Sequence, residues 1–375
     1  MRKLNFLYLL LLGVFFTACH SDDDTLGDWS KNNEFPGTKR VLAYCFEYNG
    51  EAYIGMGYNP EVKTQDKNLR DFWKFNGTEW TRLPDFPVKG RKGAVAFVVG
   101  DTAYVGAGFR DKLNSVEIDS FYNDFYKYDL IKNEWVKKAG STTEYATTSI
   151  FHDYKGVGEI DEDDCSFWGG IAFSLNGKGY AGTGNLDGSR ESKNIYCYDP
   201  ATGGWTDANF NGDSRAGAVV FILNNKAVVC LGKANNSMVR DVCVFDGTKW
   251  SGKDEYAPLK NLDGDWNDDY DRIPRSFGVA FTSNLDSGNG SPRGYVAGGE
   301  GSYGRIIFEY NIDTDRWREV TEFPAAMNSL RVGAVGFTIN QYGYVTTGGS
   351  SLTTATDNST WKFTPGIDRD DNNDY

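Results

Sequence analysis

Five arginines recur at a fixed distance from a phenylalanine, and this spacing is the feature of the sequence that most directly suggests chemistry. The pattern is Arg-x5-Phe, and it begins at Arg40, Arg91, Arg215, Arg275 and Arg331. In a sixth copy Phe167 takes the place of the arginine, and Trp168 follows it. Guanidinium groups bind carboxylates in bidentate geometry, so arginines in register predict a site for an acidic ligand. Trp168 would add an aromatic wall against which a sugar ring or an apolar group stacks.

The charge balance of the chain leaves two explanations of these arginines open. The 375 residues contain 39 Lys+Arg against 52 Asp+Glu, a net charge of −13. Two guanidinium groups about 10 Å apart repel each other by roughly 1.7 kcal/mol at an effective dielectric constant of 20. Either nearby Asp and Glu side chains neutralise the arginines, or a bound anion does. The acidic balance argues against nucleic acid as a partner.

The elements that must position these residues are repeated strands. Two apolar runs joined by Asn, Asp or Gly indicate a β-hairpin, and six second runs end in glycine: Tyr53–Gly57, Tyr104–Gly108, Tyr180–Gly184, Val228–Gly232, Tyr295–Gly299 and Tyr344–Gly348. An alternating aromatic strand follows, and after it a tryptophan in five units: Trp80, Trp135, Trp205, Trp250 and Trp317. Six repeats of this kind predict an array of six structural units.

The N-terminal segment supplies the strand that the last unit lacks. Asp28-Trp29 precedes Phe35-Pro36 at the same offset as Glu79-Trp80 precedes Phe86-Pro87. The sequence therefore predicts an all-β, six-bladed β-propeller of four-stranded blades over residues 28–366, with the last blade closed by the N-terminal strand. Residues 367–375 form a polar acidic tail. The longest insertions precede the inner strands of blades three and five, at residues 141–167 and 251–274.

The repeat resembles the kelch repeat over almost the whole chain after residue 27. The glycine-ended second strand, the aromatic third strand and the tryptophan carry this resemblance. It implies that the loops joining second and third strands open on the same face as the arginines, and it adds Arg240 to the candidate ligand-binding residues. Similar arginines in kelch domains bind acidic ligands, although a kelch fold by itself does not define an activity.

The chain also resembles, more distantly, the sialic-acid mutarotase group in size, export and blade number. That group carries a Gly-Glu-x5-Arg loop between second and third strands, and its Glu and Arg act on the anomeric centre. Here the fourth blade has Gly232-Lys233 with Arg240, so a base replaces the acid. The fifth blade has Gly299-Glu300 with Arg305, one residue shorter. The resemblance makes Glu300 and Arg305 candidate catalytic residues, and a surface ion pair is the alternative.

The first residues predict export and lipid anchoring. Residues 1–18 have two basic residues and a short apolar stretch, typical of a signal peptide. Residues 16–19, Phe-Thr-Ala-Cys, resemble the lipobox of bacterial lipoproteins, which would make Cys19 the lipidated N-terminus. Ser21 and the three aspartates after it resemble the export tag of Bacteroidetes surface lipoproteins, with a periplasm-facing linker as the alternative. Residues 19–27 would be an acidic tether at the outer membrane.

No cofactor and no metal are expected. The two histidines, His20 and His152, are too few for the copper site of galactose oxidase, which also carries kelch repeats. The acidic groups at residues 161–164 and 263–268 are interpreted as solvated loop charges. The cysteines after Cys19 number five and contain no CxxC pair, so at least one is a free thiol.

These observations predict a binding module rather than an enzyme. The expected function is that of a surface or outer-membrane lipoprotein, with an acidic glycan, sugar acid or peptide bound at the arginine-lined mouth of the propeller. One alternative is a sugar-acid mutarotase or epimerase of the sialic-acid type. The other is a structural subunit of an envelope complex with a protein partner.

Overall fold

The chain folds into six antiparallel sheets around a common axis, as seen in a computed structural model that describes residues 26–63, 66–112, 120–187, 190–251 and 271–370. Each sheet is one blade, and its first strand is innermost. Blade one contains Tyr44–Tyr48, Glu51–Gly55, Phe72–Phe75 and Trp80–Leu83. Blade two contains Val95–Val99, Thr102–Gly106, Asp124–Asp129, Glu134–Trp135 and Thr147–Ser149, and blade three contains Ile171–Leu175, Lys178–Gly182, Ile195–Asp199 and Gly204–Asp207.

The second half of the molecule continues the same pattern. Blade four contains Val219–Leu223, Lys226–Cys230 and Val242–Phe245, with a bridge from Phe245 to Trp250 at the start of its outer edge. Blade five contains Val279–Ser283, Arg293–Ala297, Ile306–Asn311 and Arg316–Glu322, and blade six contains Val335–Ile339, Tyr342–Thr346, Thr360–Asp368 and Leu26–Asn32. The predicted all-β, six-bladed propeller is confirmed.

Closure of the ring by the two ends of the chain is also confirmed. Leu26–Asn32 pairs antiparallel with Thr360–Asp368, with Trp29 opposite Phe363 and Lys31 opposite Trp361. Trp29 is 2% exposed and packs against the rings of Phe281, Phe323 and Phe363. The sheet extends to Leu26 and Asp368, two residues beyond the predicted bounds at each end.

The turns between first and second strands explain why the hairpins form where they do. A two-residue turn that matches the twist of a hairpin needs positive φ at both central positions, which Asn and Gly adopt most easily. Such pairs are Asn49-Gly50, Asn176-Gly177, Asn224-Asn225 and Asn340-Gln341. All of these turns lie on one face of the propeller, which we call the hairpin face.

Three two-stranded hairpins and one short helix lie outside the blade sheets in the described residues. Two-stranded hairpins are formed by Phe109–Arg110 with Ser120–Phe121, Lys233–Ala234 with Ser237–Met238, and Gly349–Ser351 with Thr354–Ala355. The one helix of the described residues is Glu162–Cys165. None of the helical structure in the described ranges is long and apolar enough to span a bilayer. Part of the predicted blade-three insertion, Thr147–Ser149, pairs instead with the third strand of blade two.

Candidate functional site

The five recurring arginines are buried inside the blades. Arg40, Arg215 and Arg331 are 0% exposed, Arg275 is 1% and Arg91 is 2% exposed. In all five blades the guanidinium donates to the carbonyl that follows the second strand, as in Arg40 to Met56 at 2.9 Å and Arg331 to Thr347 at 2.9 Å. Met56 and Thr347 have positive φ, so their carbonyls leave the strand ladder and face the arginine.

Hydrogen-bonded carboxylates neutralise three of these arginines, and Asp357 forms a longer ion pair of 3.6 Å with Arg331. Arg40 donates to both oxygens of Asp71 at 2.8 and 2.7 Å. Arg91 does the same with Asp124 at 2.6 and 3.2 Å, and Arg215 donates to Asp241 at 2.5 Å. Asp71 and Asp241 stand immediately before the third strand of their blades, and Asp124 is the first residue of that strand in blade two. Of the two explanations that the sequence left open, internal neutralisation therefore applies to these blades.

Blades five and six satisfy their arginines differently. Arg275 donates to backbone carbonyls, among them Ile273 at 2.9 Å and Ile306 at 2.8 Å. The position of the aspartate is taken by Arg305 in blade five and by Ser359 in blade six, and Ser359 accepts from Arg331 at 2.5 Å. Burial lowers the pKa of Arg275 to about 9 and that of Arg331 to about 10, the latter against the nearby charge of Asp357.

The arginines therefore do not form a ligand-accessible ring at the mouth of the propeller. Instead, the residues two positions after each arginine, and after Phe167 in blade three, form a closed ring of backbone hydrogen bonds around the axis. Leu42 donates to Gly333, Gly93 to Leu42, Gly169 to Gly93, Gly217 to Gly169, Phe277 to Gly217 and Gly333 to Phe277, all at 2.7–2.9 Å. All six residues have positive φ.

An apolar plug covers this ring. Four of the six ring positions are glycine, and the other two are Leu42 and Phe277, which are 7% and 6% exposed and share one buried cluster. The ring of Phe277 lies so close to Gly169 that a Cβ there would be 2.9 Å from it. Trp168 stacks on Phe277 with ring centroids 6.1 Å apart. The predicted aromatic wall is therefore part of this plug.

The side chains around the plug come from six equivalent backbone bridges, which we call the rim: Val41–Tyr58, Lys92–Phe109, Trp168–Asn185, Ala216–Lys233, Ser276–Glu300 and Val332–Gly349. In each bridge the first residue follows the arginine position, and the second follows the glycine that ends the second strand. The rim therefore lies at the end of the propeller opposite the hairpin face.

Glu300 and Lys233 meet on the rim. The Lys233 Nζ lies 2.6 Å from the Glu300 Oε2, and the two side chains are 29% and 30% exposed. The Ser276 hydroxyl also donates to Glu300 at 3.2 Å, and the Lys233 ammonium lies 5.3 Å from the centre of the Phe277 ring. A carboxylate, an ammonium and an aromatic surface thus share one partly exposed place.

Arg305 and Arg240 lie elsewhere. Arg305 donates to the carbonyls of Met327, Phe323 and Pro324, and the described residues show no ion pair between Arg305 and Glu300. Arg240 pairs with Asp271. The predicted pairing of Glu300 with Arg305 is therefore replaced by the pairing with Lys233.

A second ion pair stands across the rim. The Lys92 Nζ lies 2.8 Å from Asp111, and it also faces the rings of Tyr58 at 4.5 Å and Phe109 at 4.9 Å. Sequence reasoning missed both Lys92 and the role of Lys233. The available signal was position, because Lys233 and Glu300 both directly follow the glycine that ends a second strand, in neighbouring blades.

The remaining predicted residues divide between described and undescribed parts of the chain. Cys19 and residues 263–268 lie outside the described residues. Within the described residues no group of three His, Cys, Asp or Glu side chains is arranged to hold a metal ion. The five cysteines after Cys19 are free thiols, four of them buried and Cys45 partly exposed.

Comparison with known proteins gives a distant and partial sequence similarity. Over 190 residues the chain is 29% identical to N-acetylneuraminate epimerase of Salmonella typhi, covering 48% of this chain and 42% of that protein. It is 25% identical over 205 residues to N-acetylneuraminate epimerase of Pasteurella multocida, covering 48% of this chain and 50% of that protein. The chain thus spans about half the length of these relatives. No protein-family model matches the sequence.

A solved structure extends the similarity to the whole fold. The structure of YjhT superposes with a TM-score of 0.58, covering 88% of this chain and 95% of that one, at 19% sequence identity. At this identity the match concerns the fold. The chain is therefore a six-bladed β-propeller that has the fold of YjhT and is distantly similar in sequence to N-acetylneuraminate epimerases.

Proposed function

We propose that the rim binds a sugar acid of the sialic-acid type and exchanges its anomers, with Glu300 and Lys233 as the acid/base pair. The observation that carries this proposal is the contact of 2.6 Å between a partly exposed carboxylate and a partly exposed ammonium beside Phe277. The relatives named as N-acetylneuraminate epimerases support the same substrate class.

The chemistry of anomer exchange suits this pair. Opening the sugar ring removes a proton from the anomeric hydroxyl and delivers one to the ring oxygen, and closing it reverses both transfers. A carboxylate accepts the first proton and an ammonium donates the second, so the two groups start in the required states. Ring closure on the other face of the carbonyl gives the other anomer and restores both side chains.

The surroundings of the pair fit a ring-shaped acid. Phe277 and Trp168 form an apolar surface next to it. Lys92 on the rim provides a further cationic group for the substrate carboxylate, because its partner Asp111 is 42% exposed and can move away. In this proposal the buried arginines hold the loops in place and do not touch the ligand.

The test is an NMR exchange measurement on N-acetylneuraminic acid. We expect the wild-type protein to accelerate anomer interconversion, and Glu300→Gln to lower the rate at least about 100-fold, the usual contribution of a general acid or base. Glu51→Gln is the matched control, because Glu51 pairs with Lys74 at 2.9 Å and is 28% exposed but lies outside the rim. An unchanged rate in Glu300→Gln would overturn the proposal.

Binding without catalysis is the second candidate. It is favoured by the contacts of the Glu300 Oε2 atom, which accepts hydrogen bonds from both Lys233 and Ser276. In this case saturation-transfer NMR detects the sugar acid, Lys233→Met weakens its binding, and the anomers exchange at the rate of the buffer. An acidic glycan or peptide would occupy the same rim.

We also propose that the protein is a lipoprotein attached through Cys19 to the outer membrane and exposed at the cell surface. The support is the lipobox-like sequence and the acidic residues after it. Metabolic labelling with a fatty-acid analogue should mark the wild type and leave Cys19→Ala unlabelled. Copurification of an envelope protein with the lipidated form would identify a structural partner.

A further inference from the structure

The channel on the other side of the plug is lined by the free edges of the six inner strands. The Val98 N–H and C=O both bond to the Ser174 hydroxyl of the next blade, at 3.0 and 2.6 Å. Thr282 is bonded in the same way by the Thr338 hydroxyl, at 2.9 and 3.1 Å. Since these groups point away from their own sheets, the backbone edges face the channel.

This channel is a well with one open end. The backbone ring and the side chains of Leu42 and Phe277 close it at the rim. Two consecutive stretches of about 350 and 230 Å³ extend from the plug toward the hairpin face. They share the six mostly small wall residues Cys45, Ala96, Ala172, Val220, Ala280 and Gly336.

Glu47 is the one charged side chain that lines the well among the described residues. One carboxylate oxygen accepts the Thr338 backbone N–H of the neighbouring blade. The described residues place no Lys, Arg or His within ion-pair distance of Glu47. The Glu47 side chain is exposed to the well, and partial desolvation by the surrounding blades raises its pKa to about 7. This direction is expected for a carboxyl group without a counter-ion.

Unmatched carbonyl acceptors lie at the same level of the well. Ser174 and Thr338 bond the strand edge of the preceding blade, but the equivalent residues in blades two and four are Val98 and Ile222. These apolar side chains have no hydroxyl to offer to the edges of Glu47 and Ser174. The backbone carbonyls of Glu47 and Ser174 therefore face the well without such a side-chain partner. Among the described contacts the same holds for the carbonyls of Ile222 and Thr338.

We propose that this well binds a small aliphatic primary ammonium compound. The ammonium has three N–H donors, which match the Glu47 carboxylate and the unmatched edge carbonyls of the well, and the short hydrocarbon chain lies along Ala96, Ala172 and Ala280. A bound cation neutralises a carboxylate that the protein itself leaves without one. The net charge of −13 also raises the local concentration of cations. This site is independent of the function proposed for the rim.

The test is calorimetric titration with n-butylammonium, with 1-butanol as the neutral probe of similar shape. We expect saturable binding of butylammonium and at least about tenfold weaker binding to Glu47→Gln, whereas butanol should distinguish little between the two proteins. Glu51→Gln changes a partly exposed acid that is paired with Lys74, and this variant should bind as the wild type does. Equal affinity in Glu47→Gln, or no saturable binding to the wild type, would overturn the proposal.

A second variant tests the place of binding without removing the charge. Ala172→Leu fills the well and should abolish butylammonium binding, while circular dichroism reports whether the propeller remains folded. Binding that survives in folded Ala172→Leu would place the cation outside the well and contradict the proposal. Both variants should retain sugar-acid exchange at the rim, so failure of one proposal is distinguishable from failure of the other.

Discussion

At the residue scale, the recurring arginines stabilise the blades by joining two strands from inside. Arg40 reaches the end of the second strand through Met56 and the start of the third through Asp71. A buried guanidinium loses its hydration, and only a full set of acceptors with a nearby negative charge makes this tolerable. The Arg40 side chain, whose type and spacing suggest anion binding in the sequence, is therefore bonded inside its blade and is not available to a ligand.

Asp71→Asn tests this role. The variant keeps the shape but leaves the buried Arg40 without its counter-charge, so we expect a loss of about 3–5 kcal/mol in the free energy of unfolding. Asp85→Asn is the control, because Asp85 pairs at 2.7 Å with Arg82, which is 56% exposed, and should change stability by less than about 1 kcal/mol. Equal losses in the two variants, measured by urea unfolding, would contradict the prediction.

The difference in the free energy of unfolding between wild type and Asp71→Asn should also depend on pH. Burial raises the pKa of Asp71, but the hydrogen bonds and charge of Arg40 outweigh it, so the pKa is lowered overall. A carboxyl group with a lowered pKa in the folded state stabilises the protein above its ordinary pKa of about 4 and loses this contribution as acid protonates it. The gap between wild type and Asp71→Asn should therefore narrow as the pH falls below about 4.

At the element scale, the strand Leu26–Asn32 closes the ring. It pairs along its whole length with Thr360–Asp368 and places Trp29 between blades five and six. Further contacts between blades six and one include the backbone bond from Leu42 to Gly333, the bond from the Thr338 N–H to Glu47, and the packing of Phe75 against Phe337 and Tyr344. Without the first strand, blade six would expose an edge and its aromatic face.

Trp29→Ala measures how much the closing strand contributes to the stability of the propeller. Trp29 is 2% exposed, so truncation should cost about 3–5 kcal/mol. Trp80→Ala is the matched control, because Trp80 starts the outer strand of blade one at the equivalent position but is partly exposed. Thermal unfolding should show a clearly smaller effect for Trp80→Ala. A Trp29→Ala protein as stable as Trp80→Ala would show that closure by the first strand contributes little.

At the scale of the whole molecule, the direction of the first strand predicts how the propeller is oriented relative to a membrane to which its N-terminus is attached. Leu26 lies opposite Asp368 on the hairpin face, and Asn32 lies opposite Thr360 toward the rim. Seven residues from Cys19 to Leu26 span at most about 25 Å. If the protein is attached through Cys19 as proposed, the open end of the well faces the membrane and the rim faces away from it.

Fluorescence energy transfer on lipid vesicles tests this orientation. A dye attached at position 289, in the loop between first and second strands of blade five, should transfer energy strongly to a membrane acceptor. A dye at position 302, in the loop after Glu300, should transfer weakly. Equal transfer from both positions would contradict the orientation, and Cys19→Ala should abolish transfer by releasing the protein.

Much of the architecture follows from local sequence. Pairs such as Asn49-Gly50 and Asn176-Gly177 specify hairpins, because few residues adopt positive φ readily. The recurrence of Trp29 and Trp80 at equal distances from a following Phe-Pro is enough to predict closure. Blade two shows a limit, since the local pattern does not indicate that Thr147–Ser149 is a strand or that it pairs with the third strand of this blade.

The number of blades, the closing strand and the register of the arginines can be predicted from the amino-acid sequence alone, because they follow from periodicity and turn chemistry. Which charged side chains remain available to a ligand depends on the tertiary structure. Arg40 finds Asp71 within its blade, whereas Lys233 finds Glu300 in the next blade, 67 positions away. Ion pairing depends on distance in space, and the closed ring brings together positions that no local pattern connects.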